Sequence, residues 1–186
     1  MNEIVVASNT GPLISAFQCG RIDLLRRYFV AIHIPETVLL ELRRHGAGDA
    51  ADQLVREGLF VVERLDPDEI VQAEDLARQI AASKFARVKD HAAHVVEAEA
   101  IVLMQRAGSQ MVRLLLEEKA AREVATRLHL PLSGFVGILL SACQDGILTA
   151  EEVRGLLRDC RRQGTHYSEA LIAETYRRCI RCIEMR

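Results

Sequence analysis

The chain has no tryptophan and only five phenylalanines and three tyrosines in 186 residues. That scarcity leaves no row of rings on which successive bases of a single strand could stack. Lysine is nearly absent too: Lys84, Lys89 and Lys119 are the only three among 24 basic residues. With a net charge of −2, the whole molecule is no polycationic nucleic-acid binder, although a local basic patch stays open. The arginines either suit bidentate contacts to phosphate or carboxylate or reflect a GC-rich coding bias. No apolar run approaches the roughly 20 residues of a membrane span. The N-terminus has no basic segment leading into a long apolar one, so the expectation is a cytoplasmic protein that meets no membrane. Five cysteines are an odd number, and in that compartment they are expected to be reduced. Repeats, low-complexity tracts and proline-rich linkers are missing. So are Walker-type and dinucleotide glycine loops and the serine elbow, which removes nucleotide-binding and serine-hydrolase readings.

What is there alternates. "IVVA" (4–7), "FVAIHI" (29–34), "LFVVERL" and "QMVRLLL" read as short, wholly apolar strands, and "LPLSG" holds a short fifth. Between them lie helical patterns. "PETVLLELRRHG" has Pro35 at its start, Glu36 in its first turn, basic residues in its last and Gly46 as terminator. "DPDEIVQAEDLARQIAASKFA" is long, amphipathic and acidic at its start, and "HVVEAEAIVLMQRAG" closes at Gly108. The alternation predicts an α/β fold, with a mainly parallel four- to five-stranded sheet flanked by helices over residues 1–132. Three successive helices over 133–186 are expected to pack on the same domain.

In open α/β sheets ligands bind beyond the carboxyl ends of the strands. Two such ends carry polar residues: Ser8-Asn9-Thr10 and Glu117-Glu118. The acidic pair is either a solvated helix start or part of a site. On the helix over 94–108, Glu99 has Val95, Val96, Val102 and Leu103 as its i±3 and i±4 neighbours. A carboxylate in an apolar stripe must be paired or bound to a cation, so Glu99 is either salt-bridged to an arginine or functional. Glu97 lies about 200° away round the helix, and the two acids face one point only if the helix begins near Glu97. Glu41, between Leu40 and Leu42, is either an exposed-face residue or a fourth ligand. Such oxygen donors suit Mg²⁺ or Mn²⁺, ions that serve phosphodiester cleavage.

Cys179 and Cys182 form a C-x-x-C on a helix, but no second Cys/His pair completes a zinc set, and they read as semi-buried thiols. His91 and His94 read either as exposed histidines near a helix start or as residues that approach the site. Residues 151–186 hold eight arginines (Arg154, Arg158, Arg161, Arg162, Arg177, Arg178, Arg181, Arg186) against six acids. That is either a solvated helical pair or a source of phosphate contacts.

Taken in order, "NTGPLISAF", "GRIDLL", "IPETVLLEL", "VEAEAIVL", "EEKAARE" and "LSGFVGILLSACQDGIL" resemble the PIN-domain superfamily of metal-dependent ribonucleases. The branch they resemble is related to VapC-like toxins and is encoded beside small helix-turn-helix antitoxins. The resemblance spans nearly the whole chain. It implies a PIN-like three-layer fold and an endoribonuclease, the toxin of a toxin–antitoxin pair, that cleaves RNA with a metal-activated water. It places Asn9, Glu41, Glu99 and Glu117 on the four acidic positions, as catalytic and Mg²⁺- or Mn²⁺-binding residues. Thr10, Glu97 and Glu118 are accessory, and Lys119 or Arg122 contacts phosphate. It implies RNA as substrate, a helix-turn-helix antitoxin as partner, and a homodimer. The chain departs from the family pattern at Asn9, which is neutral where an acid is usual, at Glu117 and Glu118, which stand for shorter aspartates, and at Val96, which stands for a glycine. The alternative is a catalytically inactive PIN-like module that acts by binding protein or RNA.

Overall fold

Short strands buried on both faces need helices on both sides, and the chain supplies them. The computed structural model describes residues 4–106 and 108–184. In chain order it runs β1 (Val5–Ser8), α1 (Thr10–Gln18), α2 (Ile22–Tyr28), β2 (Ala31–Pro35), α3 (Glu36–Arg44), α4 (Gly48–Arg56) and β3 (Phe60–Glu63). There follow α5 (Pro67–Ala82), a 3-10 turn (His91–His94), α6 (Val95–Gln105), β4 (Arg113–Leu115), α7 (Lys119–Arg127) and β5 (Leu132–Ser133). Helices α8 (Phe135–Gln144), α9 (Ala150–Arg162) and α10 (Glu169–Glu184) close the described chain. Arg186, one of the arginines counted above, lies outside the described residues.

All strand pairings are parallel, in the order β3-β2-β1-β4-β5. The chain winds outward from β1 to β2 and β3, then returns to the other side of β1 with β4 and β5. The reversal leaves a crevice at the carboxyl ends of β1 and β4, the usual ligand position in such sheets. Side chains alternate across the sheet. Val6, Ile32, Ile34 and Leu115 face the core beneath α1–α4 and α8–α10. Ala7, Leu114 and Leu116 face the core beneath α5–α7. The small Ala7 lets α6, with Ala98 and Ala100 fully buried, lie close over β1.

Local chemistry fixes the helix ends. Asp66 and Glu69 form a reciprocal capping box before α5, with Pro67 in its first turn, and Thr149 with Glu152 does the same for α9. Helix α1 begins at Thr10, two residues ahead of Pro12, because proline is tolerated in a first turn. The helices after β5 belong to the first core: Phe135, Leu139, Val153, Leu157 and Ile172 join Leu13 and Leu24.

The expectation that all five cysteines are reduced is corrected for two of them. Cys19 at the end of α1 and Cys160 on α9 are joined in a disulfide, with Cα atoms 6.1 Å apart. They stand 141 residues apart, so only the packing of α9 on α1 reveals the pair. Burial and a hydrogen bond with Cys143 push the Cys179 thiol up to about 12, which leaves it a protonated, unreactive thiol at neutral pH. Among the described residues no helix is long and apolar enough to cross a membrane.

Candidate active site

Asn9 leaves β1 with an extended backbone, and its N–H reaches the Leu115 carbonyl at 3.2 Å. It is the N-cap of α1, where an asparagine side-chain oxygen ordinarily accepts from the first helical N–H groups. Here it makes no such cap. Its Nδ2 instead donates to Glu97 Oε1 at 3.3 Å. Asn9 is 3 % exposed. Asn9 Oδ1 and Glu97 Oε2 are, among the described residues, the buried side-chain oxygens with no hydrogen-bond partner. Buried polar atoms are nearly always satisfied, so two bare acceptors at the sheet's crevice call for a positively charged visitor.

Two further acids face the pair. Glu41 on α3 accepts from the Thr10 hydroxyl at 2.5 Å, which ties α3 to the first turn of α1. Glu118 caps α7 by accepting from the Ala121 N–H at 2.7 Å. Burial pushes the Glu97 carboxyl above the usual carboxylate range, and the negative charges of Glu41 and Glu118 push it further. Backbone hydrogen bonding at the start of α6 and nearby His94 act the other way. The structure therefore brings together Asn9, Thr10, Glu41, Glu97 and Glu118.

Glu99 and Glu117 border that group: Glu99 feels the charge of Glu41, and Glu117 Oε2 and Asn9 Oδ1 both lie within 4 Å of where a Cβ on Gly11 would sit, yet each acid is already hydrogen-bonded. Glu99 accepts a hydrogen bond from the Thr37 hydroxyl on α3. Its partner is thus a threonine rather than the arginine that one reading of the sequence expects. Burial raises its pKa, and Glu36 and Glu41 raise it further. Glu117 is engaged through both oxygens. Oε1 accepts from the Tyr167 hydroxyl at 2.6 Å and from the Phe135 N–H at 3.1 Å, and Oε2 accepts from Ser15 at 3.4 Å. Burial still holds its carboxyl above the ordinary range. Glycines make room for it: a Cβ on Gly134 would lie 3.2 Å from its Cγ, and one on Gly11 would lie 3.5 Å from Oε2.

Tyr167 went unseen in the sequence, being a lone ring in the polar stretch "QGTHYSEA". It is 5 % exposed, and its hydroxyl also lies 2.9 Å from Ser15. Burial and the adjacent Glu117 carboxylate hold its pKa far above the ordinary tyrosine value, so it stays a donor at any physiological pH. Tyr167→Phe removes one of the donors that offset the desolvation of Glu117. The expected loss is about 1–3 kcal/mol of unfolding free energy, read by urea denaturation.

The basic candidates divide likewise. Lys119 is exposed beside Glu118. Arg122 sends Nη1 to the carbonyls of Leu116 (2.6 Å) and Ser133 (2.9 Å), which binds it to the ends of β4 and β5. His91 is exposed, as expected. His94 is instead buried, with Nε2 2.9 Å from the Val88 carbonyl, because the 3-10 turn folds it under α6.

Among the described residues no three histidine, cysteine or acidic side chains are already gathered as a metal-binding set. The donors that are present, one bare amide oxygen and one bare carboxylate oxygen in an acidic crevice, still fit Mg²⁺ or Mn²⁺. Mg²⁺ commonly takes only one or two carboxylates and keeps several waters. A family model, DUF3368, described as a PIN domain, matches residues 5–180. No curated protein and no solved structure matches the chain.

Proposed function

Because the chain belongs to the PIN-domain family, a nuclease-type fold, we propose that it is a divalent-metal-dependent endoribonuclease whose ion is held by Asn9 and Glu97. The observation that carries the reading is the pair of buried, unpartnered oxygens, Asn9 Oδ1 and Glu97 Oε2, at the carboxyl end of β1. A bound Mg²⁺ or Mn²⁺ would supply water activation and neutralise charge on the cleaved phosphate. The residues do the rest. Glu41 and Glu118 add the negative potential that attracts a cation, and the Thr10 hydroxyl fixes the Glu41 carboxylate. The amide of Asn9 orients Glu97 through Nδ2 while leaving Oδ1 bare. Glu117 acts from beneath as a brace between α1, α8 and the segment before α10. Glu99 holds the Thr37 hydroxyl of α3 and adds its charge beside Glu41.

The toxin role, a helix-turn-helix antitoxin and a homodimer rest on the sequence resemblance alone, and residence in the cytoplasm and one domain made of residues 1–132 and 133–186 rest on the sequence pattern. One observation favours a second reading, a PIN-fold module that binds without cutting: among the described residues the acids form no ready three-ligand set, and Glu117 is already engaged. Mn²⁺ titration by calorimetry, with RNA cleavage followed in parallel, separates the two. The nuclease reading expects one ion bound at up to millimolar Mn²⁺ and cleavage that EDTA stops. No binding and no cleavage would leave the binding module.

A further inference from the structure

A groove of about 370 Å³ that the acid site does not use is lined by Lys119, and the other two lysines, Lys84 and Lys89, contact the turn that carries its Phe85 wall. One wall is α7. Lys119, Arg122, Glu123, Thr126 and Arg127 line the groove, and their i, i+3/i+4, i+7/i+8 spacing makes one stripe ~12 Å long at 1.5 Å per residue. The other wall is Phe85, in the turn between α5 and the 3-10 turn. Phe85 is 46 % exposed, whereas the other seven aromatic residues are buried or half-buried. The turn is fastened in place. The Ser83 hydroxyl donates to Glu123, the Phe85 N–H donates to Ser83 Oγ at 3.1 Å, and Lys89 Nζ donates to the Ser83 carbonyl at 2.8 Å. An apolar ring held out to solvent on a fixed turn is a surface kept for contact. Lys84 Nζ lies 5.0 Å from its centroid.

Charge points to the occupant. Residues 83–90 and 119–127 carry Lys84, Arg87, Lys89, Lys119, Arg122 and Arg127 against Asp90 and Glu123, in a chain whose net charge is −2. The Glu123 carboxylate is turned to Ser83. Both walls lead to the acids: α7 starts directly after Glu118, and the Phe85 turn continues through His91–His94 into α6 and Glu97. We propose that this groove binds a single-stranded segment of the RNA substrate, with one base stacked on Phe85 and backbone phosphates along Lys119 and Arg127, and so leads the strand to the acidic crevice. The proposal rests on the nuclease reading for its direction. Composition excludes a row of rings, but one exposed ring serves one base.

The test is fluorescence anisotropy of a labelled single-stranded RNA of about 12 nucleotides, in EDTA so that no cleavage occurs. Phe85→Ala is expected to weaken binding about five- to a hundredfold, and Phe85→Trp to keep it. Lys119→Ala combined with Arg127→Ala is expected to flatten the salt dependence of log affinity by about 1.4, the value for two phosphates on a single strand. Melting curves confirm that each variant is folded. Wild-type affinity in Phe85→Ala, or an unchanged salt slope in the double variant, overturns the groove, as does binding of a protein partner there with no RNA affinity. Cleavage by a wild type whose RNA binding ignores Phe85 removes the groove and keeps the nuclease. Phe85-dependent binding without Mn²⁺-dependent cleavage keeps the groove and removes the nuclease.

Discussion

Glu97→Gln is expected to lower metal-dependent RNA cleavage by at least about a hundredfold, the scale on which one preorganised electrostatic group is lost, and to make the metal-free protein more stable. The two effects share a cause. In the wild type, a carboxylate with one bare oxygen is held away from water beside Asn9, with Glu41 and Glu118 adding like charge. Gln removes the charge. Its Oε1 can still accept from Asn9 Nδ2, and its new amide can donate to the bare Asn9 Oδ1. A gain on the order of 1 kcal/mol corresponds to roughly 2–4 °C in melting temperature for a chain of this size. The sign with pH follows from the raised pKa of Glu97. A carboxyl whose folded pKa exceeds its unfolded one contributes stability that is fully present below about 4.5 and lost as pH rises through the folded value. The stability advantage of Glu97→Gln over wild type, in EDTA, therefore grows from acid toward neutral pH. Glu99→Gln is the control, since Glu99 hydrogen-bonds Thr37 instead; it should lower cleavage by about ten- to a hundredfold at most, the scale for a group that supports a metal site from outside, and so by less than Glu97→Gln. Full activity in Glu97→Gln together with loss in Glu99→Gln would reverse the two assignments. Denaturation in EDTA across pH, with cleavage assays in Mn²⁺, reads both.

That contrast between Glu97 and Glu99 also marks where sequence reasoning ran out. Strands and helices were legible because their punctuation is local: Pro35 ahead of α3, Gly46 after it and the acidic start of α5 act within a turn. The crevice was legible as well, since polar residues directly after apolar strands fall at carboxyl ends by construction. Which acid on α6 hydrogen-bonds Asn9 was not. The apolar neighbours of Glu99 mark a buried stripe only if the helix has one buried face, yet Ala98, Ala100, Ile101, Val102 and Leu103 are all buried, so α6 is covered almost all round. Its azimuth is then set by packing over Ala7 and by where the helix starts. It starts at Val95, which turns Glu97 toward Asn9. The Cys19–Cys160 disulfide and the Tyr167–Glu117 bond stayed hidden for a related reason. Both join α1 or β4 to the helical segment after β5, and no local pattern encodes contacts across 141 or 50 residues.

Asn9→Asp is the sharpest probe of the crevice, because it should move stability in opposite directions with and without metal. Without metal, the variant replaces the Nδ2 donor to Glu97 with an oxygen, so a hydrogen bond becomes a contact between two carboxyl groups, with Glu41 and Glu118 nearby. A buried carboxyl facing another costs about 1–3 kcal/mol in apo stability, unless one is protonated, and the penalty should therefore shrink at acid pH. With metal, a second charged oxygen replaces a neutral one, and Mg²⁺ or Mn²⁺ should bind about tenfold tighter or more. Binding to the folded state alone stabilises by RT ln(1 + [L]/Kd), so at saturating Mn²⁺ a tenfold gain in affinity adds about 1.4 kcal/mol to the metal-induced stabilisation. The expected record from thermal melts is a lower melting temperature than wild type in EDTA, a larger upward shift on adding Mn²⁺, and faster RNA cleavage at limiting metal. Equal melting temperatures in EDTA with equal Mn²⁺ shifts would mean that Oδ1 of Asn9 faces no cation, and the metal would have to be sought elsewhere in the molecule. A lower apo stability with no larger metal shift would mean that the amide was selected to quiet the acids, which is the behaviour of a PIN fold that binds without cutting.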